Sequence, residues 1–279
     1  GLQFAISLGL IARHDLFGIS TEQASRIAMA MAGFWWAGFS IISFIYLKET
    51  KTPENMPEAY RGLPKWAAYS KIGIERTLLT ARKVVRFKHL LLFLIAFMIY
   101  NDAIQTVIKM ASIYGQQELK ISQTYIMITL LIIQFVAFFG ALLFGRLAEK
   151  ISAKKALMLS LVLWSFVVIY SYYIKSTEEF LFLGVVVGMV LGGSQALSRS
   201  IYGVMIPKNA SAEFYGFYSV FTKFSAIWGT AVFAIVEHLT GSSRNAIISL
   251  VLFFIVGLVL LSMVNIEKAK DAKRIELFK

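Results

Sequence analysis

The chain holds 279 residues, 58% of them hydrophobic and only 16% charged, with a formal net charge of +12. A soluble domain averages about 45–50% apolar residues even with glycine counted, so a compact water-soluble domain is excluded and an integral membrane protein is expected. With no cysteine, disulfides and thiolate chemistry are excluded. Nucleic acid is not the expected partner, because the basic residues fall where membrane topology places them.

A span needs about 20 mainly apolar residues. In chain order, a partial segment covers about 1–12, and full ones are expected near 25–47, 88–113, 122–145, 155–174, 180–203, 214–237 and 243–265. The chain opens on Gly1, already inside an apolar run, so further residues upstream are expected. All four prolines (Pro53, Pro57, Pro64, Pro207) fall outside these spans or at their ends.

Positive charge sets orientation. Lys48, Lys51, Arg61, Lys65, Lys71, Arg76, Arg82, Lys83, Arg86 and Lys88 crowd the linker before the third span. Arg146, Lys150, Lys154, Lys155, Arg199, Lys208 and the C-terminal tail continue the pattern, whereas the alternate loops are poor in cations. The linker and C-terminus are therefore expected in the cytoplasm, and for a bacterial protein the membrane is the inner one. Between Tyr60 and Phe87 the linker interleaves Trp66, Tyr69, Ile72, Leu79 and Val84 with basic residues, as in an amphipathic helix lying on a membrane surface.

Two spans, a long basic linker and six further spans resemble the major facilitator superfamily. The expected fold is an all-α integral membrane protein of that superfamily, partial, with about seven full transmembrane helices and one partial. On that layout the chain runs from helix five to helix twelve. Residues 1–47 close the N-terminal bundle, 48–87 form the linker, 88–265 the C-terminal bundle and 266–279 the tail, and the partner it lacks is its own first four helices. The loop GRLAEKISAKK (145–155) is similar to the superfamily's loop signature, with Gly145, Leu147, Ala148, Glu149, Lys150 and Lys154 matching in kind. Ser152 replaces its second glycine. Gly145 is expected to permit close helix approach, and Glu149 to latch one conformation.

A more specific resemblance lies in 192–229, where Gly192, Gly193, Gln195, Ala196, Ser198, Arg199, Ser200, Pro207, Glu213, Phe214, Gly216, Tyr218 and Lys223 match a run of the vacuolar effluxer-like family. Tyr100, Asn101, Asp102, Gln105 and Thr106 match a second motif of that family, in which Ala103 replaces a glycine. Thr230 stands where a proline is usual, which leaves a kink there open. The resemblance implies solute transport, with amino acids the suspected substrates.

Met98, Asp102, Gln105, Lys109 and Ser112 form one helical stripe, flanked by Thr106. An acid at mid-membrane costs about 2.5–3.5 kcal/mol on insertion scales, so it is expected to face protein or water. Lys109 is expected to snorkel toward the outer interface. Lys223 stands at comparable depth, and an Asp102–Lys223 interaction is the expected pairing, made and broken during transport. Asn101, Gln105, Thr106, Gln195, Ser198 and Tyr218 complete the expected substrate or ion path. Arg199 either snorkels or pairs with Glu213 as a gate, with Glu149 the third gating residue.

Gly184, Gly188 and Gly192 form a small-residue ridge for helix packing. Packing is likewise the expected role of Trp35 and Trp36. His14, His89 and His238 are isolated, and neither metal-ligand spacing, paired catalytic carboxylates nor a phosphate-binding loop occurs in the spans, so no metal, cofactor or enzymatic activity is expected. The expected function is secondary transport of a small solute by alternating access, with Asp102 making proton coupling plausible. The competing reading is a receptor or scaffold on a transporter fold, which would bind without flux.

Overall fold

The computed structural model describes residues 1–47, 56–207 and 211–274, the last three for backbone alone. Lys48, Lys51, Pro53, Lys208 and Lys279 lie outside the described residues, as do the side chains of Lys273 and Arg274. The described residues form helices, short 3-10 turns and connecting loops, and the chain divides into two compact units, Gly1–Ser70 and Lys71–Lys279.

The first unit contains α1 (Leu2–Ala12) and α2 (Thr21–Tyr46), joined by a 3-10 turn at His14–Phe17. Gly18 ends that turn at φ 62°, a conformation glycine adopts without a Cβ clash. Ser20 opens α2 with a capping box. Its hydroxyl accepts from the Gln23 N–H while the Gln23 side chain accepts from the Ser20 N–H. His14 adds bonds to Ile19 O and Thr21 Oγ1, which fix the α1–α2 corner. Packing was expected for Trp35 and Trp36, but Trp36 is 75% exposed and Trp35 touches Phe39 on its own helix. Among the described residues nearly the whole of α2 has its apolar side chains uncovered.

The helix α3 (Lys65–Arg86) begins in the first unit and runs mostly in the second. The second unit continues with α4 (Lys88–Gln117), α5 (Gln123–Ile151), α6 (Ala153–Tyr173), α7 (Thr177–Met205), α8 (Ser211–Phe224), α9 (Trp228–Thr240), α10 (Ser243–Ser249), α11 (Val251–Met263) and α12 (Ile266–Arg274). Seven stretches of the described residues are long and apolar enough to cross a membrane, counting α8 with α9 and α10 with α11 as one span each. They coincide with the expected full spans. The expected continuous helix over 214–237 is instead two, because the chain unwinds at Ser225–Ile227.

α4 is the most enclosed of these spans. Its buried face, from Leu90 through Phe97, Tyr100 and Ile104 to Tyr114, meets α7, α9 and α11. The ridge Gly184–Gly188–Gly192 of α7 lies against Thr129, Ile133 and Ala137 of α5. A side chain at Gly192 would overlap the Ala137 carbonyl, so the two backbones approach as only small residues permit. Gly145 is expected to serve close approach, yet among the described residues nothing stands within 4 Å of a Cβ placed there. That role belongs to Gly140, whose face meets the Met189 backbone.

Hydrogen bonds mark two ends of the second unit. At one end, Lys154 Nζ donates to Ser262 O at 2.6 Å and Val264 O at 2.7 Å, closing the exposed carbonyls at the end of α11. There too the Asn265 N–H donates to His89 Nδ1. At the other end Glu118 accepts from the Ser243 N–H at 2.8 Å and pairs with Arg244 at 3.4 Å, while Arg244 also donates to Tyr172 O at 2.6 Å.

The α5–α6 turn pivots on Ser152, which takes φ 88° and ψ 148°. That region is essentially reserved for glycine. Ser152 keeps the tight turn of the missing glycine at a cost in strain, and its hydroxyl caps α6 by accepting from the Lys155 N–H at 3.4 Å. Because glycine at an N-cap costs only a few tenths of a kcal/mol against serine, Ser152→Gly should stabilise the protein by about 1 kcal/mol. A thermal-unfolding midpoint at or below wild type contradicts the strain.

Candidate functional site

The unwinding between α8 and α9 organises the site. It leaves the first amides of α9 without helical partners inside an apolar span. α4 satisfies one of them. Asp102 Oδ2 accepts from the Gly229 N–H at 2.8 Å. One turn away, Asn101 Nδ2 donates to Ser225 Oγ within the unwound segment itself. A carboxylate at a helix N-terminus is favoured by the aligned peptide dipoles, and half-helix termini of this kind hold anionic groups in transporters built from broken helices.

Asp102 is 2% exposed and Thr106 is fully buried. Among the described residues Asp102 Oδ1 and Thr106 Oγ1 have no hydrogen-bond partner. Both converge on Gly229, where an added Cβ would lie 2.5 Å from Thr106 Oγ1 and 3.1 Å from Asp102 Oδ1. Gly229 is therefore the residue that lets α9 present its N-terminus so close to α4.

These contacts change the expected pairing. Asp102 does not pair with Lys223, which is exposed, and no ion pair joins the two among the described residues. The N-terminus of the half-helix takes the carboxylate, through the Gly229 N–H and the aligned peptide dipoles behind it. The single stripe on α4 also divides. Asp102 and Thr106 face α9, whereas Asn101 and Gln105, one position round the helix, line a cavity. Lys109 is exposed.

That cavity has a volume of 160 Å³ and is walled by α4, α7 and α8. Gln195, Ser198 and Arg199 enter it from α7, and Tyr218 with Thr222 from α8. Ser198 is buried and shares a 2.6 Å hydrogen bond with Tyr100, which also lines the wall. Tyr218 stacks on Phe97 with centroids 4.5 Å apart and lies 4.8 Å from the Tyr202 ring, giving the cavity an aromatic floor. Gln195 also borders a second cavity of 290 Å³, lined chiefly by apolar residues such as Val107, Ile133, Val167, Leu183 and Val187. The site thus offers one guanidinium, several neutral hydrogen-bonding groups and aromatic faces.

The gating residues are not brought together. Glu213, in the first turn of α8, accepts from Thr80 of α3 rather than pairing with Arg199. The Arg199 side chain instead reaches the cavity, and its carbonyl accepts from Tyr215 at 3.3 Å. Glu149 is exposed and makes no hydrogen bond or ion pair among the described residues. Tyr100, Thr222, Ser225 and Thr80 were not expected at the site. Ser225 gave a signal, a polar residue four before Gly229 inside an apolar span, but its meaning depends on the break. The Glu118–Arg244 network at the other end was also not foreseen.

The family described as Vacuole effluxer Atg22 like matches residues 2–274. The chain belongs to that family. A Bacillus subtilis (strain 168) protein named as an uncharacterized MFS-type transporter, YxiO, is 30% identical over 275 residues, which cover 98% of this chain and 62% of the relative. Autophagy-related protein 22-1 of Aspergillus clavatus is 26% identical over 94% of this chain and 45% of its own length. The protein of the same name from Neosartorya fischeri is 26% identical over 90% of this chain and 44% of its own length. The chain therefore spans about half to three-fifths of the curated relatives it matches. For a vacuole effluxer Atg22-like chain, the all-helical architecture with its seven candidate spans is that of the major facilitator superfamily.

Proposed function

We propose that the full-length protein is a secondary active transporter that moves a small solute by alternating access, with amino acids as the first class to test. The observation that carries this reading is the convergence of Asn101, Gln105, Gln195, Ser198, Arg199 and Tyr218 from three helices on one 160 Å³ cavity. Arg199 suits a carboxylate, and the neutral amides and hydroxyls suit an ammonium or hydroxyl group. The names of the relatives, an effluxer family and an MFS-type transporter, support transport rather than catalysis.

On this reading Asp102 carries the coupling proton. As a carboxylate it holds the N-terminus of α9, and as an acid it accepts the Gly229 amide less strongly and frees the broken helix to move. Glu149 and Glu213 act at the basic end of the bundle, which faces the cytoplasm by its excess of lysine and arginine. In a bacterium the membrane is the inner one.

The test is uptake by proteoliposomes of the full-length protein over a panel of amino acids at two external pH values. Arg199→Gln should raise KM about tenfold or more, the loss of one charged hydrogen-bonding contact, while the protein still folds. Binding without flux in the wild type would make the protein a receptor on a transporter fold, and an unchanged KM in the variant removes Arg199 from the site.

A further inference from the structure

We infer that the second half of α3 is a docking surface for anionic lipid headgroups, with its apolar seam seated in the leaflet. At 100° per residue, Ile74, Leu78 and Val85 fall within an arc of about 40°. They are 63%, 58% and 63% exposed. These are three large aliphatic side chains in a row that no other described residue covers. The helix does not lack a protein contact elsewhere. Thr80, fully buried, donates to Glu213 of α8, and Val84, also fully buried, joins the core of the bundle with Phe87. Both lie about 80–120° round the helix from the seam. α3 is thus anchored to the bundle along one edge while presenting a separate apolar face.

Charge complementarity names the occupant. Lys71 and Arg82 flank the seam on the side away from the bundle, and Arg86 and Lys83 continue that arc. Within 71–86 the only acid is Glu75, against Lys71, Arg76, Arg82, Lys83 and Arg86. Arg82, Lys83 and Arg86 make no ion pair among the described residues. A neutral protein surface would leave these cations uncompensated, whereas an anionic leaflet takes the aliphatic seam into its acyl boundary and the cations at its headgroups. The anchoring edge at Thr80 and Val84 holds the helix at the end of the bundle where α4, α8 and α12 have termini, which is where a leaflet surface lies if the spans cross a bilayer.

Because these 279 residues hold no cysteine, single-cysteine labels at Ile74, Leu78, Val85 and Lys83 report each face cleanly. Any cysteine elsewhere in the full-length protein is replaced first. Spin labels are compared in vesicles of phosphatidylcholine alone and of phosphatidylcholine with phosphatidylglycerol, using oxygen and a water-soluble nickel chelate as collision reagents. In the anionic vesicles, labels at 74, 78 and 85 should meet oxygen and be shielded from the chelate, with the reverse at 83. Replacing Arg82, Lys83 and Arg86 by Gln should lower the inserted fraction relative to the free one by about fivefold for each charge removed. Labels shielded from both reagents would mean that a protein surface covers the seam, and labels open to the chelate in both vesicles would mean that it is solvated. Either result overturns the inference. Equal insertion in neutral and anionic vesicles overturns its headgroup specificity.

Discussion

Replacing Asp102 by Ala should destabilise the protein by about 1.5–3 kcal/mol and abolish transport. The magnitude is that of a hydrogen bond to a charged group lost at a buried site. Its basis is the contact from α9, the Gly229 N–H at 2.8 Å, to a carboxylate 2% exposed. With the side chain gone, the Gly229 amide at the start of a half-helix is left unpaired inside an apolar span, where an unsatisfied group is costly. Asp102→Asn retains an acceptor for Gly229 but loses the charge that complements the helix dipole, a difference of about 0.3–1 kcal/mol at exposed termini and up to about 2 kcal/mol when partly buried. Asn should therefore melt between Ala and wild type. It should also transport, if at all, without dependence on the pH gradient. Thermal midpoints in detergent and flux at two pH values check both parts. If Ala melts with the wild type, the carboxylate is not holding the broken helix. If Asn keeps a pH-gradient-dependent flux, Asp102 is not the coupling group.

Gly192→Ala should cost at least as much, at or above the upper end of the roughly 1–3 kcal/mol typical of overpacking. The added methyl would overlap the Ala137 carbonyl oxygen and stand 2.9 Å from the Ala141 nitrogen. Both obstacles are backbone, so no side chain can rotate away, and α5 and α7 must separate along a shared face. Gly145→Ala gives the opposite sign on α5. Among the described residues nothing lies within 4 Å of its Cβ, and removing a helix-interior glycine gains about 0.5–1 kcal/mol. The two substitutions are chemically identical, so their midpoints should move in opposite directions. A Gly192→Ala protein that melts no lower than wild type would mean that α5 and α7 do not approach as closely as the ridge requires.

The two glycines also show where sequence reading stops. Gly145 sits in a recognisable loop motif and Gly192 in a ridge spaced by four, and both suggest close packing. Only the ridge packs. Periodicity tells which residues share a face of a helix, but not what that face meets.

The span positions, the basic amphipathic helix before the third span and the family were legible in the chain itself. Hydropathy imposes the spans, because a bilayer demands apolar runs of fixed length and backbone groups within it must be paired inside the segment, whereas the family was legible through the motifs around Asp102 and over 192–229. Legible too were the polar residues of the cavity, because an acid, an amide or an arginine in an apolar run must face protein or water. Asn101, Gln105, Gln195, Ser198, Arg199 and Tyr218 could be chosen that way, and they do share one cavity. What they pair with could not. Opposite charges at similar depth in the sequence point to Lys223 as the partner of Asp102. The tertiary structure supplied a different one, the N-terminus of a helix interrupted at Ser225–Ile227, whose unpaired amides act as the positive partner. Glu213 likewise met Thr80 of a distant helix instead of Arg199 on the adjoining one. The sequence determined which side chains must find partners in the membrane. Where a helix breaks, and so which backbone groups become available to meet them, was decided by packing between helices far apart in the chain.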